Sequence, residues 1–140
     1  MIVGLGTDVV DVARFKFDAT KMERFASKIF TDTEMAYARS RHQAAQHLAA
    51  AFAVKEATRK AFGDPIPWRL IGVRHEPSGR PYIELRGSAQ ALVGARGVRR
   101  MHLTIAHTRN SALATVLLES DDAVGGLSSV PPEFDEVAAR

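Results

Sequence analysis

From Gln43 to Phe62 the chain runs without Pro or Gly, is dominated by helix formers, and then meets Gly63-Asp64-Pro65. Such a run predicts one long helix, with Gly63 as its stop and Asp64-Pro65 as the break beyond it. Ala44, Ala45, Leu48, Ala49, Phe52 and Ala57 supply an apolar stripe at helical spacing. Glu56 and Lys60 fall one turn apart on one face, with Lys55 on the flank. An acid among Lys55, Arg59 and Lys60 is ordinarily a surface ion pair. The amino-terminal stretch changes that reading.

Ile2-Val3-Gly4-Leu5-Gly6-Thr7-Asp8-Val9-Val10 reads as a buried strand, its two glycines marking a bulge or a close backbone approach. Asp8 is a carboxylate set in an apolar run. Burying it costs several kcal/mol or more unless it is paired, hydrogen-bonded or metal-bound. It is either a cap for the following helix or an oxygen ligand for a hard cation such as Mg²⁺.

The remaining elements follow in order. Asp11 to about Phe17 predicts a short helix carrying Arg14 and Lys16, and Asp18-Ala19-Thr20 a turn. Lys21 to Phe30 predicts a helix with Met22, Phe25, Ala26 and Ile29 inward and Lys21, Arg24 and Lys28 as a basic stripe. Such a stripe is a solvated face or a dock for an acidic helix. Thr31-Asp32-Thr33-Glu34 is a capping box for a helix to about Arg41. His42 and His47, five residues apart, read as surface or interface histidines rather than a metal pair. Residues 69–75 and 81–86 predict a hairpin around Pro77-Ser78-Gly79-Arg80, with Trp68 packed on the core. Ser88 to about Ala95 predicts a helix. Residues 102–107 and 112–118 predict two strands joined by a turn at Thr108-Arg109-Asn110-Ser111, with His107 where strand passes into loop. Helices and antiparallel strands are segregated, which defines an α+β class: one domain over residues 1–119 with an antiparallel sheet packed on the long helix. Residues 120–140, rich in Asp, Gly, Ser and Pro, predict a flexible acidic tail.

Charge narrows the partners. Residues 1–119 hold 18 Lys+Arg against 11 Asp+Glu, a balance of +7, and the tail holds one Arg against five acids, a balance of −4. A basic body suits an acidic partner, whether nucleic acid, an anionic protein or a phosphorylated small molecule. The chain has no Cys, no signal-peptide pattern and no apolar run of membrane length. The expectation is a cytoplasmic protein with no membrane partner.

Gly4-x-Gly6-x-Asp8, the helix Phe52-Ala-x-Lys-Glu-Ala-x-x-Lys-Ala-Phe-Gly63 beginning 44 residues after Asp8, and Thr104-Ile-Ala-His-Thr108 with the return strand Ala112–Leu118 stand together in one chain. This combination resembles the holo-acyl-carrier-protein synthases, the short group of the 4′-phosphopantetheinyl transferases, over about Met1 to Glu119. The resemblance implies a trimer of α+β domains with active sites in the clefts between subunits. It implies transfer of phosphopantetheine from coenzyme A to a serine of an acyl carrier protein, with release of adenosine 3′,5′-bisphosphate. By similarity Asp8 and Glu56 are Mg²⁺ ligands. Lys60 meets the coenzyme A phosphates, and Lys55 lies in the same motif. Gly63 lies beside the cofactor, and His107 and Thr108 lie near its adenosine part. Arg14, Lys21, Arg24 and Lys28 fall where the acidic helix of the carrier protein docks. The family usually has Ser before the strand-end histidine; here Ala106 stands there.

The residue types agree with that chemistry. Attack of a serine hydroxyl on the β-phosphate builds charge that a cation and Lys60 can stabilise. Glu56 and a metal-bound water are the candidates for general base. Two other readings stand beside it: a basic nucleic-acid-binding module without catalysis, and an inactive structural homologue. No nucleic-acid motif and no aromatics interleaved with the basic clusters support the first. Retention of Asp8, Glu56 and Lys60 argues against the second.

Overall fold

A computed structural model of the chain describes residues 1–16 and 19–121. Strand β1 (Ile2–Asp11) leads into a single 3₁₀ turn (Val12–Phe15), then helices α1 (Ala19–Ile29), α2 (Asp32–Arg39) and α3 (Ala44–Phe62). A second 3₁₀ turn (Trp68–Leu70) precedes the hairpin β2 (Ile71–His75) and β3 (Pro81–Leu85). A third (Gly87–Ala89) runs into α4 (Gln90–Ala95), and β4 (Arg100–His107) and β5 (Ser111–Glu119) close the fold.

The strands form two antiparallel sheets. One has the order β1-β5-β4, and the other is the β2-β3 hairpin. The expected sheet on a long helix is the three-stranded one. Its register sets Asp8 opposite Ala114 and Ala114 opposite Ile105, and at the same end His107 opposite Ala112. Alternation gives each strand an inner and an outer face. On β5, Ala112, Ala114, Val116 and Leu118 are buried inward.

Helix α3 lies on that inner face, and two glycines decide how close it comes. A Cβ at Gly4 would stand 2.2 Å from the Ala61 carbonyl oxygen, and one at Gly6 would stand 2.0 Å from that of Ala57. The strand therefore runs against helix backbone, antiparallel to it, two strand residues for each helical turn. Ala53 and Ala57, both fully buried, face it with the smallest possible side chains. Continuing this register brings Asp8, two residues beyond Gly6, to the helix flank that carries Glu56 and Lys60.

Aromatic packing holds the other side of α3. Phe15 meets Phe25, Phe30 and Phe52 at ring-centre distances of 6.0, 5.8 and 5.7 Å, and Phe52 meets Trp68 at 5.8 Å. Seating Phe15 in this cluster takes one tight turn rather than the expected helix over 11–17. The hairpin begins at Ile71 rather than Arg69, because the Trp68 and Ile71 carbonyls both turn to the Lys55 ammonium. Helix α1 starts at Ala19, two residues before the expected Lys21. The inward placement expected for Met22 and the turn residue Asp18 lie outside the described residues, as does the tail beyond Asp121. Ser120, assigned to that tail, is buried. Its amide donates to the Met1 carbonyl, and the Met1 ammonium donates to the Ser120 carbonyl at 2.8 Å.

Close packing at Gly6 leaves no room for a methyl group, since the clash is with backbone. Gly6→Ala is expected to cost about 3 kcal/mol or more. Gly94→Ala, where the added Cβ meets open space in a helix, is expected to be neutral or to stabilise by up to about 1 kcal/mol. Urea unfolding of the two variants checks the contrast.

Candidate active site

Asp8, Glu56 and Lys60 come together where β1 crosses α3. The Lys60 ammonium donates to Asp8 Oδ1 and to the Thr7 carbonyl, both at 3.0 Å. The Asp8 side chain is 17% exposed and that of Lys60 54%, so the pair opens to solvent on the lysine side. Asp8 therefore does not cap the following 3₁₀ turn; it faces the helix. Glu56, one turn before Lys60, is 25% exposed. Its Oε1 accepts from Arg59 Nη1 at 2.9 Å and from the Trp68 indole N–H at 2.5 Å. The Arg59 guanidinium lies 5.1 Å over the Trp68 ring. Trp68 was expected on the core; it packs on Phe52 with one edge and orients Glu56 with the other. A buried indole N–H needs an acceptor, and that is the signal by which this partnership was readable. The second donor, Arg59, is one of the bases that surround Glu56 in the sequence, at the i, i+3 spacing of a helical ion pair.

Both bonds to Glu56 fall on Oε1, and no partner on Oε2 is described. Two partly exposed carboxylates fit a hard divalent cation that takes few protein ligands and keeps water and phosphate oxygens. Among the described residues there is no cluster of three or more His, Asp or Glu for a cation that demands a full protein cage.

Lys55, expected at the cofactor, turns the other way. Its side chain has no exposed surface, and its ammonium lies 2.8 Å from Glu34 Oε1. It also donates to the Trp68 and Ile71 carbonyls. An ammonium has three donors, and these three acceptors occupy them. Burial pushes the Lys55 pKa down, against the Glu34 carboxylate that favours its charge. Glu34 is the capping-box acid, and the box is present: the Thr31 hydroxyl accepts from the Glu34 amide, and Glu34 Oε1 accepts from the Thr31 amide. Its Oε2 accepts from the Val73 amide at 2.7 Å. A capping residue and a motif lysine thus form one buried knot joining α2, α3 and β2.

His107 and Thr108 stand at the other flank of α3. His107 ends β4, with β5 between it and β1. It lines two adjoining hollows. One, of about 650 Å³, includes Arg41, His42, Thr108 and Arg109. The other, of about 400 Å³, includes Tyr37, His75, Arg80 and Pro81. Gln46 and His47 belong to both; Asp8, Glu56 and Lys60 line neither. Tyr37 stacks on His75 with ring centres 4.0 Å apart, takes His47 edge-on at 5.3 Å, and has Arg41 over its ring at 4.8 Å. Burial, then Arg41 and His107, lower the pKa of His47; burial, then His47 and Arg41, lower that of His75. The Thr108 hydroxyl accepts from the Asn110 and Ser111 amides and so shapes the turn.

Gly63 adopts the left-handed conformation (φ 62°) that ends α3, with open space around it. Arg14, Lys21, Arg24 and Lys28 are all exposed; Arg14 lies 5.5 Å over the Phe52 ring.

Residues 4–115 match the pattern of the 4′-phosphopantetheinyl transferase superfamily. A holo-acyl-carrier-protein synthase of Escherichia coli O139:H28 is 41% identical over 124 residues, which span 85% of this chain and 98% of that one. Among solved structures, a holo-acyl-carrier-protein synthase of Neisseria meningitidis aligns with TM-score 0.78 at 30% identity, over 86% of this chain and 100% of that one. The synthase of Bacillus anthracis, solved with coenzyme A (3′,5′-ADP), aligns with TM-score 0.69 at 28% identity, over 86% and 98%. The chain belongs to the 4′-phosphopantetheinyl transferase superfamily and, within it, is an enzyme of the holo-acyl-carrier-protein synthase group.

The two motif lysines should separate in solution. Lys55→Met leaves the Glu34 carboxylate buried without its cation and is expected to cost about 3–5 kcal/mol. Lys60→Met breaks a half-exposed pair and is expected to change stability by less than about 1 kcal/mol. Chemical denaturation of both variants measures the difference.

Proposed function

We infer that this enzyme transfers 4′-phosphopantetheine from coenzyme A to a serine hydroxyl of an apo acyl carrier protein, with adenosine 3′,5′-bisphosphate as the second product. The observation that carries this reading is the convergence of Asp8, Glu56 and Lys60 at the β1–α3 crossing. The serine oxygen forms a bond to the β-phosphorus, the bridging P–O bond toward the adenosine side breaks, and the leaving bisphosphate keeps the electron pair. Asp8 and Glu56 would hold Mg²⁺, which when bound neutralises charge on the phosphoryl oxygens. Lys60 is exposed enough to turn from Asp8 to a phosphate oxygen and stabilise the charge that grows there. Glu56, fixed through Oε1 by Trp68 and Arg59, keeps a second oxygen for a cation or for the serine proton. Arg14, Lys21, Arg24 and Lys28 offer a basic surface for an acidic carrier helix.

One chain supplies this site in two parts. Gln46, beside His107, and Glu56 are ten residues apart on α3, about 15 Å along the axis. The phosphate-handling groups and the histidine-lined hollows therefore lie well apart along one helix. Pairing the Asp8 flank of one copy with the His107 flank of another would complete the site, as the expected trimer requires. The outer face of the three-stranded sheet suits such self-association. Leu5 and Val9 are each 63% exposed there, and Leu113 is 39% exposed. Patches of this kind on a folded protein mark contact surfaces.

Intact-mass analysis of an apo carrier protein incubated with the enzyme, coenzyme A and Mg²⁺ is expected to show the gain of one phosphopantetheine, abolished by EDTA. Asp8→Asn and Glu56→Gln are expected to lower the rate at least a hundredfold while leaving the fold intact, because each removes a carboxylate that would hold the cation at the phosphoryl oxygens. Near wild-type turnover in either variant would remove that residue from the mechanism. Failure of the wild type to bind coenzyme A would favour the polyanion-binding module instead. Leu5→Arg, tested by light scattering after size exclusion, is expected to shift the oligomer to monomer and to abolish turnover with it.

A further inference from the structure

Gln46 sits in the first turn of α3, and its side-chain nitrogen meets two groups at once. Nε2 lies 2.9 Å from the Thr108 carbonyl oxygen and 3.0 Å from His107 Nδ1. A carbonyl can only accept. The nitrogen end of the amide, not its oxygen, must therefore face this corner, and its second hydrogen points to Nδ1. Nδ1 accepts, so in neutral His107 the proton resides on Nε2.

The Thr108 carbonyl that sets this arrangement is itself held. The Thr108 amide donates to the Ser111 carbonyl at 2.8 Å, and the Thr108 hydroxyl accepts from the amides of Asn110 and Ser111 at 3.3 and 3.1 Å. His107 is the last residue of β4, fixed in register opposite Ala112. A rigid turn thus orients an amide, and the amide selects a tautomer. The imidazole is exposed and lies where the two hollows meet.

We propose that Gln46 is a positioning residue that holds neutral His107 in its Nε2–H form, so that the ring offers coenzyme A a hydrogen-bond donor rather than an acceptor. The proposal rests on the transferase reading above. A donor at this place suits phosphate oxygens and the ring nitrogens of a purine. It discriminates against a group that can only donate, because two facing donors leave both unsatisfied.

The test uses the full-length enzyme and the variants Gln46→Met and Gln46→Glu. Long-range ¹H–¹⁵N correlation at about pH 8, where histidine is neutral, reads the tautomer of each ring, with His107→Gln as the assignment control. Wild type is expected to show His107 protonated at Nε2 alone. Gln46→Met, of similar length but without a donor, is expected to give a mixture. Gln46→Glu, whose carboxylate accepts from Nδ1–H, is expected to move the proton to Nδ1. The KM for coenzyme A should then rise roughly five- to tenfold, the scale of one lost hydrogen bond, with the larger part of the change on KM rather than on kcat. A wild-type ring protonated at Nδ1, or a tautomer unmoved in Gln46→Glu, overturns the proposal. A tautomer that moves while KM stays constant overturns the link to coenzyme A. Wild-type protein that does not bind coenzyme A overturns the transferase reading itself, and the spectra still decide whether Gln46 governs His107.

Discussion

The fold depends on the contact between two backbones. Strand β1 lies against helix α3 at Gly4 and Gly6, where a single methyl group would collide with a helix carbonyl. Most strand–helix packing is separated by two layers of side chains; here one layer is absent and the other is alanine. The approach has a chemical consequence. Asp8 leaves the strand two residues later on the same face, and at this distance its short side chain reaches the ammonium of Lys60. With ordinary side chains at positions 4 and 6 the strand would stand off, and a carboxylate of two carbons could not meet the helix.

A second constraint acts from within. The Glu34–Lys55 pair is buried on both sides and joins three elements that are distant in sequence. Buried ion pairs contribute little net stability over well-packed apolar groups, because desolvation offsets the attraction. Their cost arises when a partner is lost. This pair also accepts from one backbone amide at the start of α2 and one in β2, and donates to two carbonyls around the Trp68–Leu70 turn. It therefore fixes where Trp68 stands, and Trp68 in turn fixes Glu56. Asp8 is set by the glycine contact and Glu56 by this interior network, so two independent features of the fold position the two carboxylates.

The sequence made the skeleton readable wherever local rules decide. The uninterrupted run before Gly63 became α3, the Thr31–Glu34 box became the start of α2, and alternation at 102–107 became β4. Asp8 stood out as a charged residue in an apolar strand that requires a partner, whereas Glu56 and Lys60 read locally as a surface pair and were joined to Asp8 by the family resemblance. What stayed hidden depended on side-chain direction. Lys55 and Lys60 lie in one motif, yet a helix turns 100° per residue, and five steps send one ammonium inward and the other to solvent. The Glu34 of a capping box gives no sign that it also neutralises a lysine 21 residues on. Gln46 carries no local signal, since its meaning comes from a turn more than 60 residues away. Phe15 falls inside the short helix expected over 11–17, but it sits at the end of a single 3₁₀ turn, where it joins the aromatic cluster.

Helix α3 also separates the two groups of residues on which the proposed chemistry draws. On the β1 flank it carries Glu56 and Lys60 near its end, and at its start it carries Gln46 against the β4–β5 turn. Both ends are tied down: the start is bound to a turn closed by the Thr108 hydroxyl, and the end is stopped by left-handed Gly63 with the Phe62 carbonyl taken by Arg96 at 2.7 Å. The two groups of residues are ten positions apart on that helix, about 15 Å along its axis. Under the proposed transfer from coenzyme A, the phosphate groups and the adenosine part would then be held by two copies of the chain. The hydrogen bonds at both ends would suit that arrangement, because each copy would present its half-site in a fixed geometry and association alone would bring the two into register. In the proposed assembly the exposed leucine and valine face of the β1-β5-β4 sheet would belong to catalysis as much as the carboxylates do, since a neighbour on it would complete each half-site.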